Sequence, residues 1–211
     1  MSYQLYGELG SGAGIVEVAL VAAGVPYELR SVSLDKSEQR SESYARLNPQ
    51  RKLPTLVTPA GETLTETAAI LLVLDERHPA ARLFPLGRTP ERAQALRWLM
   101  FAACELYPIV EISDYPERFT PHGGNAPAVR ELGRSIWRER WQVIEAQLGG
   151  EPWLLSSGLC FTDVYVASLS RWSLDPAWRA EHLPRVEKLA AAIAAQPTIG
   201  DVWRKHYARS A

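Results

Sequence analysis

The chain has 211 residues, 46% of them hydrophobic and 22% charged, enough for one sizeable core or two modest ones. Lysine and arginine number 23 against 24 acids, and no basic run exceeds Gln50-Arg51-Lys52, which excludes an electrostatic footprint for nucleic acid or for a lipid surface. The most apolar run, residues 68–74, is far shorter than the ~20 residues of a bilayer span, and the first ten residues lack a basic-then-apolar leader pattern, so a cytoplasmic protein with a small-molecule partner is expected.

In chain order, "YQLYG" (3–7) reads as a short strand and "IVEVALVAAGV" (15–25) as a largely buried helix with Gly24 at its C-cap. "YELRSVSL" (27–34) alternates as a strand, and a polar helix over 37–47 ends near Asn48-Pro49. "TLVT" and "ETLT", joined through the turn "PAGE", form a hairpin, and "ETAAILLVLDERH" (66–78) is a helix closed by Pro79. The order β-α-β-α-β-β-α calls for a mixed sheet, since the first strands need helical crossovers and the last two pair antiparallel. The expectation is an α/β domain over residues 1–79, a proline-rich linker over 80–88, and an all-α domain over 89–211.

In the second domain Thr89 caps a helix that has Pro90 at its first position. The next long helix ends on the paired glycines Gly149 and Gly150, with Trp137 and Trp141 four residues apart as core. Helices over 161–172 and 183–197 follow, the latter burying Val186, Leu189, Ala190 and Ile193 at helical spacing. Cys104 and Cys160 are far apart and fall in no Cys/His ligand spacing, and the four histidines are scattered, so neither a disulfide framework nor a metal site is expected.

The chemistry concentrates between Arg51 and Leu74. Pro54 opens a strand where it cannot donate a ladder hydrogen bond, so it is either an ordinary edge-strand proline or part of a cis turn. A cis Leu53–Pro54 bond would leave the Leu53 N–H and C=O free to pair with an extended peptide. Glu66 and Thr67 open a helix, where free N–H groups and the positive dipole end favour a carboxylate; the Thr67 hydroxyl adds a donor and Glu66 can hold an ammonium. They form either a clamp for an α-amino acid group or a plain helix cap.

"NPQRKLPTL" followed by "TETAAI", behind an N-terminal β-α-β and ahead of a helical domain, resembles a glutathione transferase of the bacterial cytosolic type, over essentially the whole chain. The resemblance implies a thioredoxin-like domain followed by an all-α domain, glutathione as co-substrate, a small hydrophobic electrophile and a homodimer. It implies that Leu53 pairs with the cysteinyl backbone and that Glu66 and Thr67 hold the γ-glutamyl end. Gln50, Arg51 or Lys52 would reach the glycyl carboxylate, although Arg51 and Lys52 can equally be solvated charges. In "GLCFTDVYVA", Cys160 takes the place of the family's Ser or Thr helix cap, with Asp163 three residues on as a folding residue. Cys160 itself is either a buried structural cysteine or a redox thiol.

The bound thiol starts near a pKa of roughly 8.5, and lowering it by about two units takes ~2.7 kcal/mol of thiolate stabilisation. Ser11 stands where serine-type members carry their catalytic serine, and Tyr6 lies one residue from the place used by tyrosine-type members; backbone N–H groups around Ser11 are the third possibility. Tyr107, Tyr115, Phe119, Trp172 and Tyr207 are candidate walls of a second-substrate cleft, against a simple core role. The activity implied is transfer of glutathione to an electrophile. The alternatives are a glutathione-dependent peroxidase or disulfide reductase, or a non-catalytic relative that binds glutathione or another ligand.

Overall fold

The structure, a computed structural model, describes residues 2–149, 151–172 and 175–208. Its contacts divide the described residues into two units, one holding the chain up to Phe84 together with residues 194–208, the other running from Pro85 to Ile193.

The first unit contains β1 (Tyr3–Gly7), α1 (Ala13–Ala22), β2 (Tyr27–Ser31), α2 (Glu42–Leu47), β3 (Thr55–Val57), β4 (Thr63–Leu64) and α3 (Thr67–Arg77). The sheet order is β2-β1-β3-β4, with β1 parallel to β2 and antiparallel to β3, and β3 antiparallel to β4. This is the mixed sheet that the element order demands. Tyr3 and Leu5 point to one face and are buried, while Gln4 and Tyr6 point to the other. Every residue of α1 from Ala13 to Leu20 is buried, which explains why its sequence is apolar nearly all round rather than striped.

The second unit contains α4 (Pro90–Phe101), α5 (Tyr107–Asp114), α6 (Ala126–Gln147), α7 (Phe161–Leu169), α8 (Pro176–His182) and α9 (Pro184–Ala194), the last residue of α9 falling in the first unit by contacts. Thr89 Oγ1 accepts the Arg92 N–H at 3.2 Å, the cap that the Thr-Pro pair foretells. Trp137 and Trp141 are buried in edge-to-face contact, and Val186, Leu189, Ala190 and Ile193 are buried as their spacing requires. Gly150, the second of the paired glycines, lies outside the described residues. Asp163 sits at the third position of α7, accepting the Leu154 N–H at 2.7 Å and the Cys160 N–H at 2.8 Å. Cys160 completes the box as N-cap; burial pushes its thiol up to about 12, which makes it a structural rather than a reactive cysteine.

The final helix, α10 (Gly200–Tyr207), packs on α1 within the first unit. Its main polar contact is Glu17, buried in α1, whose carboxylate receives His206 Nε2 at 2.5 Å, Lys205 Nζ at 2.8 Å and the Tyr27 hydroxyl at 2.8 Å. Burial works to raise its pKa, and the hydrogen bonds from His206, Lys205 and Tyr27 overcome this and hold the carboxyl down at about 2. A depressed carboxyl stabilises the fold above its ordinary value of 4.5 and loses that contribution as pH falls toward 2. Urea midpoints measured against pH are therefore expected to drop across this window, and Glu17→Gln is expected to flatten the drop while being less stable at neutral pH. An unchanged slope in the variant would refute this assignment.

Candidate functional site

Register brings the candidate residues of the first unit to one end of the sheet. Tyr6 pairs with Thr55 and Leu56 with Leu64, so one residue beyond the ladders Gly7 faces Pro54, and two beyond Leu56 Pro54 faces Glu66. The loop after β1, the turn before β3 and the start of α3 therefore lie side by side. Two strand spacings of ~4.8 Å make this edge about 10 Å wide, which is also the reach of an extended tripeptide.

The central position is held by a buried polar network. Tyr44 and Asn48 both donate to the Lys52 carbonyl, at 2.9 and 2.8 Å, and both reach Thr55 Oγ1, at 2.8 and 3.1 Å. The chain is thus fixed on both sides of Leu53–Pro54, whose peptide bond is cis. The Leu53 N–H and C=O make no hydrogen bond among the described residues. Sequence reading missed Tyr44, Asn48 and Thr55, because nothing in their spacing marks three residues from two elements as one network.

At the start of α3, Glu66 is exposed and adopts φ 63°, ψ 105°, a left-handed conformation that strains a residue with a side chain. Its side chain does not cap the helix, so the first-turn N–H groups lack that partner. Thr67 is buried, and its hydroxyl finds no hydrogen-bond partner among the described residues. A strained residue beside an orphaned buried hydroxyl is unusual in an ordinary cap, and both suit a ligand that carries a carboxylate and an ammonium.

The cations before the turn differ. Arg51, at φ 56°, donates to the Arg40 carbonyl at 2.9 Å and pairs with Glu42 at 3.0 Å on an exposed surface. Gln50 and Lys52 are exposed, with the Gln50 N–H given to Asn48 Oδ1 at 3.0 Å.

In the loop before α1, the Ser11 hydroxyl donates to the Glu8 carbonyl at 2.7 Å and accepts the Ala13 and Glu8 N–H groups at 3.2 and 3.3 Å. Glu8 in turn accepts the Leu34 N–H at 3.0 Å. The neighbouring Gly12 is buried, yet its N–H makes no hydrogen bond among the described residues. A backbone donor left unpaired in a buried residue marks a place where something else can bind. The Tyr6 hydroxyl turns back along β1 to Gln4 at 3.2 Å, on the strand face where the Tyr6 ring meets Tyr44.

Residues 13–77 match the glutathione S-transferase N-terminal domain family. The GST-like protein YncG of Escherichia coli is 31% identical over 206 residues, covering 96% of this chain and 98% of its own. The chain belongs to the glutathione S-transferase family. The maleylacetoacetate isomerase of Pseudomonas aeruginosa is 29% identical over 198 residues, covering 86% of each chain. A glutathione transferase homologue from Sulfitobacter, solved with bound glutathione, superposes with a TM-score of 0.87 at 21% identity over 98% of this chain and 99% of its own. The fold of this family member is therefore a thioredoxin-like unit followed by a helical one.

The aromatic candidates divide between the units. Tyr107 packs between Tyr165 and Trp172, with ring centroids 6.2 and 5.0 Å away. Tyr115 is 41% exposed beneath the Arg118 guanidinium, and Phe119 is 47% exposed on the loop between α5 and α6. Tyr207 belongs to the first unit, where it is buried and gives its hydroxyl to the Ser11 carbonyl at 2.9 Å.

Proposed function

We propose that the protein is a glutathione transferase that binds glutathione across the sheet edge formed by Ser11–Gly12, Leu53–Pro54 and Glu66–Thr67. The observation that carries this reading is the alignment of three unsatisfied or strained groups along one edge about 10 Å wide: the Gly12 N–H, the Leu53 backbone and the Thr67 hydroxyl beside strained Glu66. Leu53 pairs with the cysteinyl backbone, Glu66 takes the ammonium, and Thr67 with the start of α3 takes the α-carboxylate. Gln50, Arg51 or Lys52, just before the turn, reaches the glycyl carboxylate.

The thiol meets the start of α1. The Gly12 N–H is available as it stands, whereas Ser11 must first release Glu8. That exchange is favourable: it gives up a neutral hydrogen bond of about 1 kcal/mol for one to a thiolate of about 1.5–3 kcal/mol. Tyr6, directed at Gln4, has no such short path. The thiolate then attacks an electrophilic carbon. A second reading, isomerisation, has support from the Pseudomonas relative's name. Within the second unit, Tyr107, Trp172, Tyr115 and Phe119 are proposed to offer apolar surface to a second substrate. A cytoplasmic homodimer is the proposed working form; among the described residues no helix is long and apolar enough to cross a membrane.

Ser11→Ala tests the thiol assignment. Thiolate absorbance of bound glutathione should give a pKa about one unit higher in the variant, with affinity for the protonated thiol, read at low pH, changed less than about twofold. A bound-thiol pKa equal to that of the native protein would move the role to the Gly12 amide alone.

A further inference from the structure

The loop that presents Ser11 and Gly12 is held from outside itself, by the last helix of the same unit. The Gly10 N–H donates to His206 Nδ1 at 3.2 Å, so Nδ1 is an acceptor and the ring proton sits on Nε2, where it is given to buried Glu17. The groups facing this imidazole are Glu17 of α1, with Lys205 and Tyr27 on the same carboxylate. The Tyr207 hydroxyl donates to the Ser11 carbonyl, which also accepts the Gly14 N–H at 3.0 Å. That carbonyl belongs to the peptide whose N–H is the unpaired Gly12 donor. A carbonyl that accepts hydrogen bonds makes the N–H of its own peptide a stronger donor. The approach of α10 is also specific: a Cβ on Gly14 would lie 2.5 Å from the Tyr207 oxygen and 2.6 Å from His206 Cγ, so only glycine lets both side chains reach the loop.

We propose that His206 and Tyr207 are positioning residues for the glutathione thiol, the C-terminal helix gripping the Gly10 N–H with one and polarising the Ser11–Gly12 peptide with the other. This rests on the glutathione reading above. Neither residue touches the sulfur; they act through the amide that does.

Three variants separate this role from simple packing. Tyr207→Phe removes only the hydroxyl. In His206→Gln the side-chain amide can replace Nε2 and keep Glu17 bonded, but nothing replaces Nδ1 for Gly10. In His206→Asn the amide oxygen replaces Nδ1 and the Glu17 bond is lost instead. In titrations of bound glutathione followed by thiolate absorbance, Tyr207→Phe and His206→Gln should raise the thiol pKa by about 0.3–1 unit, with the dissociation constant of the protonated thiol, read at low pH, changed less than about twofold. His206→Asn, although less stable, should keep a nearly native thiol pKa. A native pKa in both Tyr207→Phe and His206→Gln overturns the proposal, as does an equal shift in the Gln and Asn variants, which a structural role alone would produce. A native protein that binds glutathione without lowering its thiol pKa overturns the proposed function, and this inference with it.

Discussion

Asp163→Ala is expected to cost about 2–5 kcal/mol of folding stability, the scale for leaving two buried amide donors unpaired. The side chain is fully buried, and its two oxygens are the acceptors for the Leu154 and Cys160 N–H groups. Alanine leaves both amides buried and unpaired, at about 1–3 kcal/mol each, and removes a negative charge from the start of α7. The partner cap cannot compensate, because a Cys160 thiol is a weak acceptor. Asp163→Asn keeps the shape and one good acceptor, and about half of the loss is expected. Burial pushes the Asp163 carboxyl up to about 6 against the pull of its two amide bonds. A raised carboxyl favours folding below its ordinary value of 3.8, and that contribution is lost as pH rises through 6. The native protein should therefore show a stability decrease between about pH 4 and 6 that the Asn variant lacks. Urea unfolding followed by tryptophan fluorescence measures both effects; a loss below about 1 kcal/mol in Asp163→Ala would refute the assignment.

Much of the first unit was legible because each signal was local. Residues 3–7 read as a short strand, alternation gave β2, the Pro-Ala-Gly turn gave the β3–β4 hairpin, and Leu53–Pro54 could be suspected of a cis bond from its place before a strand. The break in the helix that Thr89 caps was not legible. Its apolar pattern runs on through residues 98–107, yet a π-helical turn occupies Ala102–Leu106 before α5. Pro108, in the first turn of α5, explains it: proline offers no N–H and its ring crowds the carbonyl four residues back, at Cys104. The candidate thiol donors could be named but not ranked. Strand alternation sends Tyr6 to the Gln4 face, whereas Ser11 and Gly12 lie beyond the strand's end, a distinction of direction rather than of residue type. Least legible was α10. Its eight residues are mostly polar, and the partner that admits His206 and Tyr207 is Gly14, recognisable only from the space it leaves.

Glu66→Gln carries the largest expected effect on binding. The residue keeps its size and loses its charge, so packing at the start of α3 is preserved. Glu66 does not cap the helix, and its positive φ is a cost that a mere helix-opening residue has no reason to bear. If the strained backbone aims the carboxylate at the ligand's ammonium, losing that charge-assisted bond should cost about 1.5–3 kcal/mol, or roughly 10- to 150-fold in affinity for glutathione. Thr67 and the helix N-terminus should still hold the α-carboxylate, so binding is weakened rather than abolished.

Charge and helix-cap effects are separated by a double cycle, in which calorimetry compares glutathione with its des-amino analogue, glutaryl-cysteinyl-glycine, on the native protein and on Glu66→Gln. Ligand across the sheet edge with its γ-glutamyl end at α3 predicts that the native protein prefers glutathione by roughly 10-fold or more and that the variant loses most of this preference. Equal discrimination between the two ligands by native protein and variant would contradict that placement, even if glutathione still bound.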